Sequence, residues 1–212
     1  MATRTKPLRR DAARNREKLL AAASAVFAAD GLDASLEEIA RHAEVSIGTL
    51  YNHFPTREAL FDAILPERIN ALDELARRAL AEPDAWSGFT GYLEGLFDAL
   101  SRDAGIRHAM TREYPDARLL TESCHRGFAN TAALLDRARE SGRLRADFAM
   151  PDLACLLWSM TRIIDTTADV APNAWRRQLA FMLDGLRSEA AQRLPVEPMT
   201  QDQVSEALMA RR

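Results

Sequence analysis

At 212 residues, with 47% hydrophobic and 28% charged side chains, the chain allows one large or two small domains and has ample apolar material for a core. Nine Gly, nine Pro and few β-branched runs point to an all-α fold, and the two cysteines, Cys124 and Cys155, exclude a disulfide framework and fit a reduced compartment. No apolar run approaches the length of about 18 residues that reads as a membrane helix, and no apolar leader core opens the chain, so a cytoplasmic protein is expected.

The net charge of −3 is unevenly placed. Residues 1–18 carry Arg4, Lys6, Arg9, Arg10, Arg14, Arg16 and Lys18 against Asp11 and Glu17, a local +5 that leaves −8 on the remainder. Residues 1–10 read as a flexible basic arm able to neutralise phosphates, beside an acidic body that discourages wrong docking. From Asp11 to Ala29 the spacing of Ala13, Leu19 or Leu20, Ala23, Val26 and Phe27 predicts a helix. Asp30-Gly31 ends it, glycine being suited to a left-handed stop.

Ser35 and Glu38 have capping-box spacing, which places a helix start at Leu36 with Leu36, Ile39, Ala40 and Ala43 on one face. Ala43-Glu44-Val45 leaves room only for a tight turn. Ser46 then caps a second short helix running through Phe54. Two short helices so joined predict a helix-turn-helix, whose second helix enters a DNA major groove. Val45, Leu50 and Phe54 face inward. Ile47, Gly48, Thr49, Tyr51, Asn52 and His53 remain for DNA, the hydroxyls and imidazole suiting phosphates and the amide suiting adenine. Pro55 stops the helix, Thr56 caps the next and Arg57 stands in its first turn. With Ser35 and Ser46 added, these residues form the candidate DNA-binding set.

The segment VSIGTLYNHFPTREAL resembles the signature of the TetR family of bacterial transcriptional repressors, over roughly residues 12–65. Beyond it the likeness is one of architecture, weaker, to members with an SbtR-like C-terminal domain. The chain departs from the family pattern at Glu44, where glycine is usual, so that the resemblance implies a side chain at positive φ there, and at Asn52, often Arg or Lys. The resemblance implies an N-terminal three-helix DNA-binding domain (11–56) and a helical regulatory and dimerisation domain (57–194). It also implies a palindromic DNA operator, a homodimer and a small-molecule effector.

A long helix from Arg57 carries apolar residues past Pro66 to Leu80. Proline there removes a backbone bond to Asp62 and predicts a kink near 62–66, or two helices broken at Leu65. Asp84 caps a helix from Ala85 to about Ser101 with Phe89, Leu93, Leu96 and Leu100 as its stripe. Gly88, Gly91 and Gly95 beside Tyr92 imply either close helix packing or room for a ligand. Helices over 105–114 and 116–140 are separated at Pro115, with Met110, Tyr114, Leu119, Leu120, Phe128, Leu134 and Leu135 as anchors. Pro151 opens a helix apolar on all sides from Leu153 to Ile164, in which Arg162 and Asp165 pair with each other or across a dimer. Asn173 caps another with Trp175, Leu179, Met182, Leu183 and Leu186. The helices at 151–170 and 173–194 are the expected dimer interface.

Tyr92, Phe97, Met110, Phe128 and Trp158, with His125 or Arg162 as polar determinants, are the candidate lining of a pocket for a largely apolar effector. No metal site, cofactor or catalytic constellation is expected: adjacent Cys124 and His125 point to different sides of a helix, and the histidines show no ligand spacing. The rival readings are a helical enzyme using Cys124 and His125, or a non-catalytic helical scaffold. The tail, residues 195–212, reads as a short surface helix of unreadable purpose.

Overall fold

The computed structural model describes residues 5–209, with side chains from Arg10 onward except that of Ala190. Among them the chain forms α1 (Thr5–Asp30), α2 (Leu36–His42), α3 (Ile47–His53), α4 (Arg57–Leu80) and α5 (Ala85–Arg102). There follow α6 (Ala104–Thr111), α7 (Arg118–Glu140), α8 (Met150–Thr167), α9 (Ala174–Leu186) and α10 (Gln201–Met209). The all-α expectation is borne out, with a three-helix head followed by a helical body.

The first helix starts at Thr5 rather than Asp11, so the stretch expected as an arm is helical from Thr5. Pro7 does not stop it, because the first N–H groups of a helix lack intrahelical partners anyway. Arg4 lies outside the described residues. Leu19, Ala23, Val26 and Phe27 are buried as expected, whereas Ala13 is exposed. Gly31, at φ +80°, makes the turn into α2.

The Ser35 hydroxyl accepts from the Glu38 amide at 3.4 Å, but the capping box is only half made. Glu38 turns instead to Arg41 at 3.0 Å, and the Ser35 hydroxyl donates to Glu37 at 2.7 Å. At the far end Val45 N–H reaches Ala40 C=O at 3.0 Å and Glu44 N–H reaches Arg41 C=O at 3.1 Å, a Schellman closure. Glu44 holds its left-handed position at φ 55°, as expected. Ser46 then caps α3 through the Thr49 amide at 3.2 Å. The helix ends at His53, one residue early, because Phe54 turns extended ahead of Pro55 (φ −134°).

α4 runs unbroken through Pro66, so the expectation of two helices is not met. It packs along α5 and α7. Long-range polar contacts fix it. The Asp62 carboxylate accepts from Leu120 N–H at 3.0 Å, capping α7, which has no cap of its own. Arg137 in turn donates to Leu80 C=O at 3.2 Å, Glu82 C=O at 2.5 Å and Pro83 C=O at 3.0 Å, satisfying the end of α4. Arg68 joins head to body, pairing with Asp103 and donating to Ser24 C=O, both at 2.8 Å.

The glycines of α5 divide. A Cβ on Gly88 would lie 2.5 Å from Ala79 C=O and one on Gly95 2.7 Å from Leu75 Cδ2, so these two serve close packing on α4. Gly91 faces open space. Gly91→Ala is therefore expected to stabilise by about 0.5–1 kcal/mol through helix propensity. Gly88→Ala is expected to cost about 1 kcal/mol, since a carbonyl must move. Urea midpoints of the two variants check both signs.

Further along, Leu119 and Phe128 are exposed at 41% and 49% rather than acting as anchors. α8 is not buried all round in the single chain: Leu153, Leu156, Met160 and Ile164 face in, while Cys155 and Arg162 face out. Asp165 pairs with Arg107 of α6 at 2.7 Å, not with Arg162. Asn173 makes no side-chain cap. The tail does form a helix, α10, started by Thr200 accepting from Gln203 N–H at 3.2 Å and Gln203 accepting from Thr200 N–H at 2.9 Å. It packs on α8 with Val204 buried.

Candidate DNA-recognition helix and ligand cavity

α3 is anchored by its inner side and offers the rest. Leu50 is fully buried and Phe54 nearly so, with the Arg16 guanidinium 5.4 Å from the centre of the Phe54 ring. Ser46, Gly48, Tyr51 and Asn52 are exposed, and Ile47, Thr49 and His53 are partly so. Nothing in the fold requires glycine at 48, where a Cβ would meet only Ser46 Oγ at 3.9 Å. Ser35 lies exposed at the start of α2, its hydroxyl engaged by Glu37 and the Glu38 amide.

Arg57 is engaged within the fold. Its Nη1 donates to Leu32 C=O at 2.8 Å and to Ala34 C=O at 2.6 Å, tying the first turn of α4 to the α1–α2 loop. The same loop is gripped from the body. His108 Nδ1 accepts from Leu32 N–H at 3.1 Å, and Arg112 pairs with Asp33 at 2.6 Å. A Cβ on Gly31 would lie 2.3 Å from His108 Cε1.

Burial, followed by the neighbouring Arg112 and Arg107, holds the His108 imidazole below its ordinary value, with Asp33 at 3.9 Å and Asp165 opposing. Folding favours the neutral ring, and an Nδ1 that accepts must be unprotonated. The clamp is therefore complete above the ordinary imidazole value and is lost as pH falls through the lowered folded value. A loss of about 1 kcal/mol in stability is expected between pH of about 7.5 and 5. His108→Asn keeps an acceptor near the Nδ1 position and should remove that part of the pH dependence in urea titrations.

Inside the body lies a cavity of about 490 Å³. Of the residues expected to line it, Phe97, Met110, His125, Phe128 and Trp158 do. Tyr92 and Arg162 do not. Tyr92 is buried behind the wall, its hydroxyl 2.9 Å from that of Thr131, which lines the cavity, and burial raises its pKa. Arg162 lies on the exposed side of α8. Gly91 and Gly95 are not in the wall either. α4 supplies Ile69, Leu72 and Asp73, and α10 supplies Gln201, Val204, Ser205 and Leu208. That last contribution escaped the sequence reading, although Thr200-Gln201-Asp202-Gln203 has capping-box spacing.

Burial pushes the Cys124 thiol up to about 11, away from the thiolate a nucleophile needs, while His125 is exposed. Among the described residues no His, Cys, Asp and Glu cluster able to hold a metal is found. No helix among them is long and apolar enough to cross a membrane.

Residues 19–64 match the family model for bacterial regulatory proteins of the tetR family, and residues 84–188 that for the C-terminal domain of SbtR-like transcriptional regulators. The TetR transcriptional regulator SCO0520 of Streptomyces coelicolor is similar at 32% identity and a TM-score of 0.51, over 81% of this chain and 98% of that one. The HTH-type transcriptional regulator UidR of Escherichia coli is 26% identical over 182 residues, 82% of this chain and 89% of UidR. The HTH-type transcriptional activator FasR of Mycolicibacterium smegmatis is 32% identical over 138 residues, 60% of each chain. With a capped, outward-facing second helix in its head and both domains matched in order, the chain belongs to the TetR family of DNA-binding transcriptional regulators.

Proposed function

We propose that the protein is a repressor that binds a pseudo-palindromic duplex operator as a homodimer and is released by a small, largely apolar effector held in the body cavity. The observation that carries this reading is α3, a seven-residue helix that buries Leu50, packs Ile47 in part against the core and leaves Gly48, Tyr51 and Asn52 bare. Homodimerisation through α8 and α9 is supported by exposed apolar groups on α9 and in the loop that joins it to α8, Phe181 at 57% and Val170 at 83% exposure. Two-fold symmetry then sets the recognition helices about 34–36 Å apart, or more on a distorted duplex.

Release is supported by shared elements. α4 begins beneath the head and further on lines the cavity with Leu72 and Asp73. α6 carries Met110 in the cavity wall and His108 on the α1–α2 loop. An effector displaces the operator only by binding one arrangement of these elements better than the other. Pro66, midway along α4, removes one backbone bond at the place where the helix passes from head to cavity, and we assign the hinge to it.

Selection of bound DNA from a random pool tests the reading: a palindrome supports it, and no enrichment sinks it. Asn52→Ala should relax preference at one position, at a cost of about 1–3 kcal/mol in discrimination, while Tyr51→Ala weakens all sequences alike. Removing residues 1–10 should make the salt dependence shallower and leave the melting temperature unchanged. An unchanged slope would deny the basic segment any phosphate contact.

A further inference from the structure

The charge of the cavity wall narrows the ligand, on the reading that this cavity holds the effector. The described lining residues include no Lys or Arg but two carboxylates, Asp73 of α4 and Glu113 of the α6–α7 loop. Asp73 is held in place, its side chain 18% exposed, by Asn130 Nδ2 at 2.6 Å and Arg77 Nε at 3.3 Å. Arg77 is shared with Glu74 at 2.8 Å, so one guanidinium serves two carboxylates and negative charge is left over. Glu113 has no ion-pair or hydrogen-bond partner among the described residues. The rest of the wall is chiefly apolar and includes the aromatic side chains of Phe97, Phe128 and Trp158.

An anionic ligand would lose its hydration in this space and meet two carboxylates with no fixed cation to replace the water. A ligand with a protonated amine gains a charge-assisted hydrogen bond to a carboxylate already oriented, and its cation suits the aromatic faces. We propose that the ligand class is a hydrophobic organic cation: an aliphatic or aromatic body carrying an ammonium group that is read by Asp73 and Glu113.

Calorimetric titration with decylamine, decanol and decanoate, below their micelle concentrations, separates charge from body. Decylamine should bind at least about tenfold more tightly than decanol, and decanoate most weakly. Glu113→Gln and Asp73→Asn should each erase most of that preference while leaving decanol affinity within about twofold. Glu113→Gln breaks no contact seen among the described residues, so it reports even where Asp73→Asn disturbs folding. Absence of amine binding, or decanoate binding as tightly as the amine, overturns the proposal. The outcomes separate from those for the regulatory reading. Decanol or decanoate releasing operator without amine preference would sink the charge inference alone. The expected amine preference with no change in operator affinity would uphold it and sink the effector role.

Discussion

Gly31→Ala is expected to lower the unfolding free energy by about 2–4 kcal/mol, combining left-handed strain, overpacking and a lost hydrogen bond. At φ +80° an alanine Cβ meets the following carbonyl, and here it also enters the His108 ring, 2.3 Å from Cε1 and 2.6 Å from Nδ1. The ring has to leave, which takes away the acceptor of Leu32 N–H and loosens the Arg112–Asp33 pair beside it. Gly142→Ala supplies the comparison, since Gly142 sits at φ +71° with nothing within 4 Å of the added Cβ. That variant should cost only about 1–2 kcal/mol, the backbone strain by itself. Urea unfolding of both isolates the joint between head and body. Equal losses would mean that the His108 contact contributes nothing to stability.

What could be read from the residues differs sharply along the chain. The head was legible because local chemistry decides it: Ser35, Ser46 and Thr56 each accept the amide three residues on, while the left-handed Glu44 was anticipated from the glycine usual at that place in the family. Contacts between distant segments have no such local signature. That Asp62 caps α7, that Arg137 caps α4 and that Arg68 reaches both Ser24 and Asp103 depends on where whole helices come to lie.

The cavity falls between these cases. Large apolar residues on successive helices were a sound guide to Phe97, Met110, Phe128 and Trp158, since a bundle surrounds its own centre. Tyr92 was misplaced because helix phase, not residue type, separates wall from backing, and its hydroxyl is spent on Thr131. Arg162 was misplaced for the same reason, since it lies on the exposed side of α8, and Asp165, the partner expected for it, pairs with Arg107 of α6. Gly91 and Gly95 looked alike in sequence, yet only Gly95 has a neighbour against it.

Arg57→Ala decides between two kinds of role that the same residue type serves. A phosphate contact would appear as a salt-dependence slope smaller by about 0.9, with stability unchanged. The structure leads to the opposite expectation, because Nη1 already donates to Leu32 C=O and Ala34 C=O at 2.8 and 2.6 Å. Truncation leaves two part-buried carbonyls unpaired in the loop that sets α2, and should cost about 2–3 kcal/mol of stability. Operator affinity measured well below the melting transition should fall modestly while the salt slope holds. Arg57→Lys, whose ammonium reaches at most part of this geometry, should recover some stability, since a point charge replaces a planar fork. An alanine variant that melts like the parent but binds DNA with a shallower slope would return Arg57 to the phosphate-contacting set and leave the α1–α2 loop to be held by His108 and Arg112.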